Sequence, residues 1–308
     1  MPDSDRRAAA PAGPAWPAFC RAAVLGGSGA VGRLVGGLLA GAGTEVLVLD
    51  RRPPPEGVGP AAFTPCDARA PDGGAAEAIR GADLVVLALP ADVALVGLPA
   101  VCRLAPADAL LVDTLSVKTP VHAALGRPGV AQEALGVNPM FAPDLGLAGQ
   151  AVLAVPVRPG PRGAAFQALL AAAGARVVVT DAARHDRMTA ALQALTHAAV
   201  LAFGLALRDL EPDLRTLLGV APPPFRTLTA LLARIVSGEP DVYREIQAAN
   251  PAAAAARQAL MRGVARVDAA TGAADFGAVA DDLAGLLGDG RAPLAALCAG
   301  VFRSLEAP

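Results

Sequence analysis

Three stretches of this chain gather polar side chains able to do chemistry: Asp113-Thr114-Leu115-Ser116-Val117-Lys118, Gly136-Val137-Asn138-Pro139-Met140-Phe141-Ala142-Pro143, and His185-Asp186-Arg187-Met188 leading to Gln193-Ala194-Leu195-Thr196-His197. A hydroxyl donates and accepts hydrogen bonds, an imidazole does either according to its tautomer, and a carboxamide offers one acceptor oxygen and one NH2 donor. Asn138 can therefore orient a partner but cannot take its proton near neutral pH. Arg226, in Pro224-Phe225-Arg226-Thr227-Leu228, and Arg234 offer planar donor forks that match carboxylate oxygens. Each residue also has a plainer reading. Ser116 could cap a helix entering Pro120-Val121-His122, His197 could be a buried structural histidine, and either arginine could sit in a surface salt bridge.

The elements that position these residues alternate in a recognisable way. Ala22 to Gly26 reads as a short apolar strand, followed by Gly27-Ser28-Gly29-Ala30-Val31-Gly32 and an Ala/Leu/Gly-rich helix to about Ala42. In this context the first glycine permits a tight turn, the second lets backbone approach a pyrophosphate, and the third allows close helix–strand packing. The anion then rests on the helix N-terminus, against the free N–H groups around Ala30 and Val31. Val46 to Leu49 is the next strand and ends at Asp50, placed to hydrogen-bond ribose hydroxyls, which favours NAD over NADP. Arg51 and Arg52 temper that preference, because guanidinium groups could hold a ribose phosphate. The apolar run Leu84 to Leu89 has the look of a strand covered on both faces, and Leu89-Pro90 at its end is expected to border the cofactor. Ala109 to Val112, Ala134 to Val137, Val152 to Val157 and Arg176 to Val179 complete a mixed sheet, with a helix over Ala165 to Ala173.

After Thr180 the strand pattern stops and Ala/Leu-rich helices run to the C-terminus, broken near Gly219 to Pro224, Gly238 to Pro240 and Asn250-Pro251. The expected organisation is a loose extension over 1–20, an α/β Rossmann-like dinucleotide-binding domain over 21–180, and an all-helical substrate and dimerisation domain over 181–308. The 308 residues suffice for two cores, and at 54% hydrophobic but 3% aromatic the packing falls to Ala, Leu and Val. A formal net charge of -2 argues against a nucleic-acid surface and for a small-molecule partner. Four scattered cysteines and three scattered histidines form no metal-ligand pattern, so no metal is expected, and the thiols read as reduced and cytoplasmic. Met188 to Leu207 is apolar enough to raise a membrane span, but Gln193, Thr196 and His197 favour a buried helix of a domain or dimer core.

The three polar stretches taken together resemble the prephenate dehydrogenase family, over most of residues 22 to about 250. The resemblance implies an N-terminal dinucleotide domain, a helical domain that forms a homodimer, NAD as cofactor, and a small dicarboxylate cyclohexadiene as substrate. The family reaction removes hydride from a ring carbon as the ring carboxylate leaves as carbon dioxide, and aromatisation drives it. Ser116 matches the family's SVK serine and is expected near the ring substituent, with Asp113 and Lys118 supporting the turn. His197 matches the second histidine of the helical motif, twelve residues after His185; on an uninterrupted helix the two are about 120° apart. His185-Asp186 then reads as a cap or interdomain support. Arg226, followed by Arg234, is the expected carboxylate ligand.

In ordinary members a histidine stands at position 138 and accepts a hydrogen bond or proton from the substrate's 4-hydroxyl. Asn138 replaces it here. A 4-amino group needs a base less, because its nitrogen stabilises the positive charge that develops as hydride departs. The sequence is thereby most similar to the amino-specific members, the 4-amino-4-deoxyprephenate dehydrogenases that serve para-aminophenylalanine synthesis for antibiotics and other specialised metabolites. Ala142, often glycine in the motif, and Ala194-Leu195-Thr196, which differs from forms that place another histidine before His197, depart from the family. Two alternatives stay open: a prephenate or arogenate dehydrogenase in which water or another residue replaces the imidazole, and a noncatalytic nucleotide-binding regulator.

Overall fold

A computed structural model describes residues 19–55, 62–211 and 213–306. The chain divides into two compact units, one ending at His185 and the other beginning at Asp186.

The first unit is built on an eight-stranded sheet in the order β3-β2-β1-β4-β5-β6-β7-β8. Its strands are β1 (Arg21–Leu25), β2 (Glu45–Asp50), β3 (Ala62–Pro65), β4 (Leu84–Leu87), β5 (Leu110–Asp113), β6 (Glu133–Pro139), β7 (Ala151–Arg158) and β8 (Arg176–Val179). Strands β3 through β6 pair in parallel, β7 runs antiparallel to β6, and β8 is parallel to β7. The connecting helices are α1 (Ala30–Gly41), α2 (Gly73–Arg80), α3 (Ala91–Leu104), α4 (Thr119–Leu125) and α5 (Pro161–Ala172). Because strand side chains alternate between faces, each central strand feeds two cores. Ala22 and Val24 of β1, Leu84 and Val86 of β4, and Leu110 and Val112 of β5 enter one, against Val35 and Leu39 of α1 and Phe166 of α5. Ala23, Leu25, Val85, Leu87 and Leu111 enter the other, with Ile79 of α2 and Leu98 of α3. Burial on both faces is why these strands read as unbroken apolar runs.

Strand β3 and helix α2 escape a periodicity reading. The strand is a four-residue edge ending in proline, and the helix opens on Gly73-Gly74, poor helix formers. Within the expected extension over 1–20, Phe19 is buried and meets Phe166 edge-on, ring centroids 6.3 Å apart, so residue 19 already belongs to the packed unit. Residues 1–18 of that extension lie outside the described residues.

Helix α6 (Ala182–Thr189) ends the first unit and opens the second, continuing through a π-turn over Ala190–Leu195 into α7 (Thr196–Asp209). The second unit continues with α8 (Leu214–Gly219), α9 (Pro223–Val236), α10 (Pro240–Ala249), α11 (Ala253–Ala269), α12 (Ala273–Leu287) and α13 (Arg291–Glu306). The π-turn has visible support. Gln247 Nε2 donates to the Ala194 carbonyl at 2.7 Å, and Asn250 Nδ2 donates to the Asp186 carbonyl at 2.9 Å and to Thr189 Oγ1 at 3.1 Å. A π-turn takes up one extra residue, so positions on either side of it are offset by about 100° from their α-helical phase, and the separation of about 120° expected between positions 185 and 197 does not hold. Helices α7 and α9 approach closely at Gly204, where a Cβ would stand 2.7 Å from both Leu232 methyls.

The helical unit leaves much apolar surface uncovered: Leu210, Val220, Val236, Leu286 and Leu297 are all well exposed. The run Ala182–Asp209 is long and apolar enough, by length and composition, to cross a membrane, and only 17% of its most apolar window is buried. The expectation of a buried helix is therefore not met within one chain.

Candidate active site

The glycine loop between β1 and α1 is shaped by close contacts. Gly26 adopts φ +78°, and a Cβ there would lie 2.0 Å from the Ala88 carbonyl oxygen, so only glycine fits. The sequence motif began one residue later, and the missed signal is the doubled Gly26-Gly27. At Gly32 a Cβ would meet the Gly26 oxygen at 2.3 Å, which shows the third glycine permitting the helix to seat on the loop. Gly29 takes the cap position of α1 with no side-chain cap and no acidic residue in the first turn, so the amides around Ala30 and Val31 remain oriented toward an anion. Asp50, at the end of β2, is drawn against the loop: Ser28 N donates to its Oδ2 at 3.1 Å and Arg51 N to its Oδ1 at 2.7 Å. Leu89 lies beside Gly26, its Cδ2 3.0 Å from the position a Cβ would take, and Pro90 caps α3. Gly27, Gly29, Ala30, Val31, Gly32, Asp50, Arg51, Leu89 and Pro90 thus surround one loop at the carboxyl ends of β1, β2 and β4. A glycine-rich loop, its one side chain Ser28 turned to the Arg52 carbonyl, joined to an uncapped helix start fits the pyrophosphate of a dinucleotide.

The second cluster joins β5 and β6. Lys118 and Asp113 are each 1% exposed, and Lys118 Nζ donates to Asp113 Oδ1 at 2.5 Å and to the Val137 carbonyl at 2.8 Å. One ammonium thereby ties the turn after β5 to the backbone next to Asn138. A buried charge is tolerated only when paired in this way. Gly136 is the complement of the pair, since a Cβ there would lie 3.0 Å from Asp113 Oδ2 and from Lys118 Cδ. Ser116 sits on this turn, partly exposed, and its hydroxyl makes no hydrogen bond with another described residue. It does not cap α4: the cap position is Lys118, without a side-chain bond. Pro120 fixes the helix start two residues beyond that expectation.

Asn138 lies inside β6, opposite Leu153 of β7, rather than past the strand's end. Its side chain is buried, and Nδ2 meets His185 Nε2 at 3.0 Å. His185 therefore is not the helix cap. That role falls to Asp181, whose Oδ1 accepts from Arg184 N at 2.7 Å. The contact between positions 138 and 185 was invisible in sequence, because nothing in a pattern of spacing links a strand to a helix start so far away.

In the helical unit, His197 is half-buried on α7, edge-on to Tyr243 of α10 with centroids 4.9 Å apart. Its Nδ1 is buried and has no hydrogen-bond partner, and burial lowers its pKa from 6.5, so the ring is held neutral. Tyr243 went unremarked in the sequence. Arg226 and Arg234 are both exposed on α9 and make no ion pair with a described residue, which leaves both guanidinium groups available. Among the described residues no group of three or more His, Cys, Asp and Glu side chains could hold a metal ion.

Comparison with known proteins adds to this geometry. Residues 181–274 match the family described as prephenate dehydrogenase, dimerization domain. Over 294 residues the chain is 46% identical to a 4-amino-4-deoxyprephenate dehydrogenase of Streptomyces pristinaespiralis, covering 94% of this chain and 98% of that one. It is 30% identical over 228 residues to the T-protein of Enterobacter agglomerans, covering 72% of this chain and 55% of that longer protein. Among solved structures, prephenate dehydrogenase of A. aeolicus in complex with hydroxyphenyl propionate and NAD+ matches in fold with a TM-score of 0.64 at 19% identity, covering 81% of this chain and 88% of that one.

Proposed function

Since the chain belongs to the prephenate dehydrogenase family, we propose that it catalyses the NAD-dependent oxidative decarboxylation of 4-amino-4-deoxyprephenate to 4-aminophenylpyruvate. The observation that carries the substrate is Asn138, a neutral buried amide where ordinary members place an imidazole, in a chain 46% identical throughout to an enzyme of that name. The glycine loop and Asp50 would hold NAD, which would supply the hydride acceptor.

The chain's own residues have three tasks. Ser116 and Asn138 hold the ring's 4-substituent: the amide oxygen accepts from the amine N–H and stays uncharged as positive charge develops on that nitrogen. From the neutral form of the amine, whose proton has gone to solvent, no further base is required, because loss of carbon dioxide from the ring returns the electron pair that neutralises the developing charge and completes the aromatic ring. Arg226, with Arg234 as its alternate on the same helix, binds substrate carboxylate, and neutral His197 contributes a further hydrogen bond. The helical unit pairs with a second copy of itself, which covers the apolar faces that one chain leaves exposed.

The decisive experiment follows NAD reduction by the purified enzyme on prephenate and on its 4-amino analogue. Higher kcat/KM on the amine is expected, and higher kcat/KM on prephenate refutes the assignment. Asn138→His should raise prephenate turnover while weakening the preference for the amine.

A further inference from the structure

The nitrogen–nitrogen contact of 3.0 Å between Asn138 and His185 carries information that neither residue carries alone. Both side chains are buried, His185 completely, so water does not compete for the contact. Two nitrogens attract at this distance only if one bears a proton and the other a lone pair. An amide NH2 always donates, so His185 Nε2 must be bare and the ring must be the neutral tautomer protonated at Nδ1. We infer that His185 is a positioning residue for substrate choice: by accepting from Asn138 Nδ2, it turns the amide so that Oδ1 is the atom presented to the substrate's 4-substituent. The inference rests on Asn138 being the group that faces that substituent.

The argument turns on what can still move. The backbone at Asn138 is fixed by its pairing with Leu153 in the sheet and by the Lys118 bond to the adjacent Val137 carbonyl. What remains free is rotation of a planar amide whose two ends are almost the same size and opposite in hydrogen-bonding sense. With Nδ2 inward, the outward atom is an acceptor, matched to an amine N–H; no hydrogen bond from a described residue occupies Oδ1. With Oδ1 inward, the outward group would be an NH2 facing a nitrogen whose single lone pair is drawn into the ring as hydride departs and can no longer accept, and the preference for the amine would disappear. A hydroxyl suffers less from that reversal, because its oxygen keeps a second lone pair that accepts while the first is drawn into the ring. Substrate selectivity at position 138 is thereby set by a residue on α6, 47 positions away in the chain.

The test compares His185→Leu, which cannot accept, with His185→Gln, whose side-chain oxygen can. Each is assayed for the ratio of kcat/KM on the 4-amino substrate to that on prephenate. His185→Leu should lower the ratio by roughly tenfold, the weight of one buried hydrogen bond, and His185→Gln should largely restore it. In an Asn138→Ala background, His185→Leu should change the ratio no further, since the effect passes through the amide. An unchanged ratio in His185→Leu, or an equal loss on both substrates without rescue by glutamine, overturns the inference.

A second measurement is independent of substrate and of the leucine variant's folding. The chain has three histidines, so 15N-histidine labelling resolves the His185 ring. Its Nδ1 should carry the proton and its Nε2 should not, and the Nε2 resonance should move in Asn138→Ala. The reverse tautomer overturns the inference. A wild-type preference for prephenate would refute the proposed function while leaving this tautomer and its dependence on Asn138 fully readable.

Discussion

Replacing Lys118 by methionine isolates the contribution of the clamp that joins the turn after β5 to β6. Methionine keeps most of the stem volume and removes the ammonium, which in the native protein donates to Asp113 Oδ1 at 2.5 Å, to the Asp113 carbonyl at 3.3 Å and to the Val137 carbonyl at 2.8 Å. The carboxylate left behind is 1% exposed, and its Oδ2 already lacks a hydrogen-bond partner. Removing one member of such a pair costs about 3–5 kcal/mol, because the surviving charge can neither hydrate nor find another cation. For a unit of this size each kcal/mol moves the melting temperature by about 2–4 °C, so the dinucleotide unit should melt roughly 6–20 °C lower. Adding Asp113→Asn removes the stranded charge, and the double variant should recover a large part of the loss, since replacing both partners of a buried pair is often close to neutral. Differential scanning calorimetry with urea unfolding reads both numbers. A fall below about 2 °C in Lys118→Met, or a double variant no more stable than the single, would refute the buried-charge reasoning.

Gly136→Ala should disturb the same clamp from the other side, since its methyl would press on Asp113 Oδ2 and the Lys118 stem; a destabilisation of about 1–3 kcal/mol is expected by urea unfolding, and a neutral result would mean that the pair relaxes freely. Gly32→Val should weaken NAD binding by about tenfold or more in a fluorescence titration, because its Cβ would fall 2.3 Å from the Gly26 oxygen; unchanged affinity would detach that glycine from the cofactor site. His197 has its pKa depressed by burial, so below 6.5 the unfolded chain takes up a proton that the folded chain refuses, and stability falls with pH from 6.5 down to the lowered folded value. His197→Gln should remove that part of the pH slope in thermal unfolding, and an unaltered slope would assign it to other groups.

The dinucleotide unit was legible because its signals are local. A strand, a glycine loop and a helix occupy consecutive residues, and double-sided burial writes itself as apolar runs at β1, β4 and β5. Signals weakened where elements are short or carry poor formers, as at β3 and the Gly73-Gly74 start of α2. The helical unit could be recognised as helical but not as phased, because the π-turn at Ala190–Leu195 is sustained by Gln247 and Asn250, partners supplied from residues more than fifty positions away.

By itself the sequence determined the chemistry available at each position: a neutral amide at 138, a hydroxyl at 116, a nucleotide loop at 27–32, and a lysine and an aspartate on one turn. It also placed the family, through motifs whose residues are near neighbours in the chain. Only tertiary structure decided which way that chemistry points. The Lys118 bond to the Val137 carbonyl and the His185 contact with Asn138 join segments whose separation in sequence carries no periodic trace, and an amide's two ends become distinguishable only when a specific neighbour accepts from one of them.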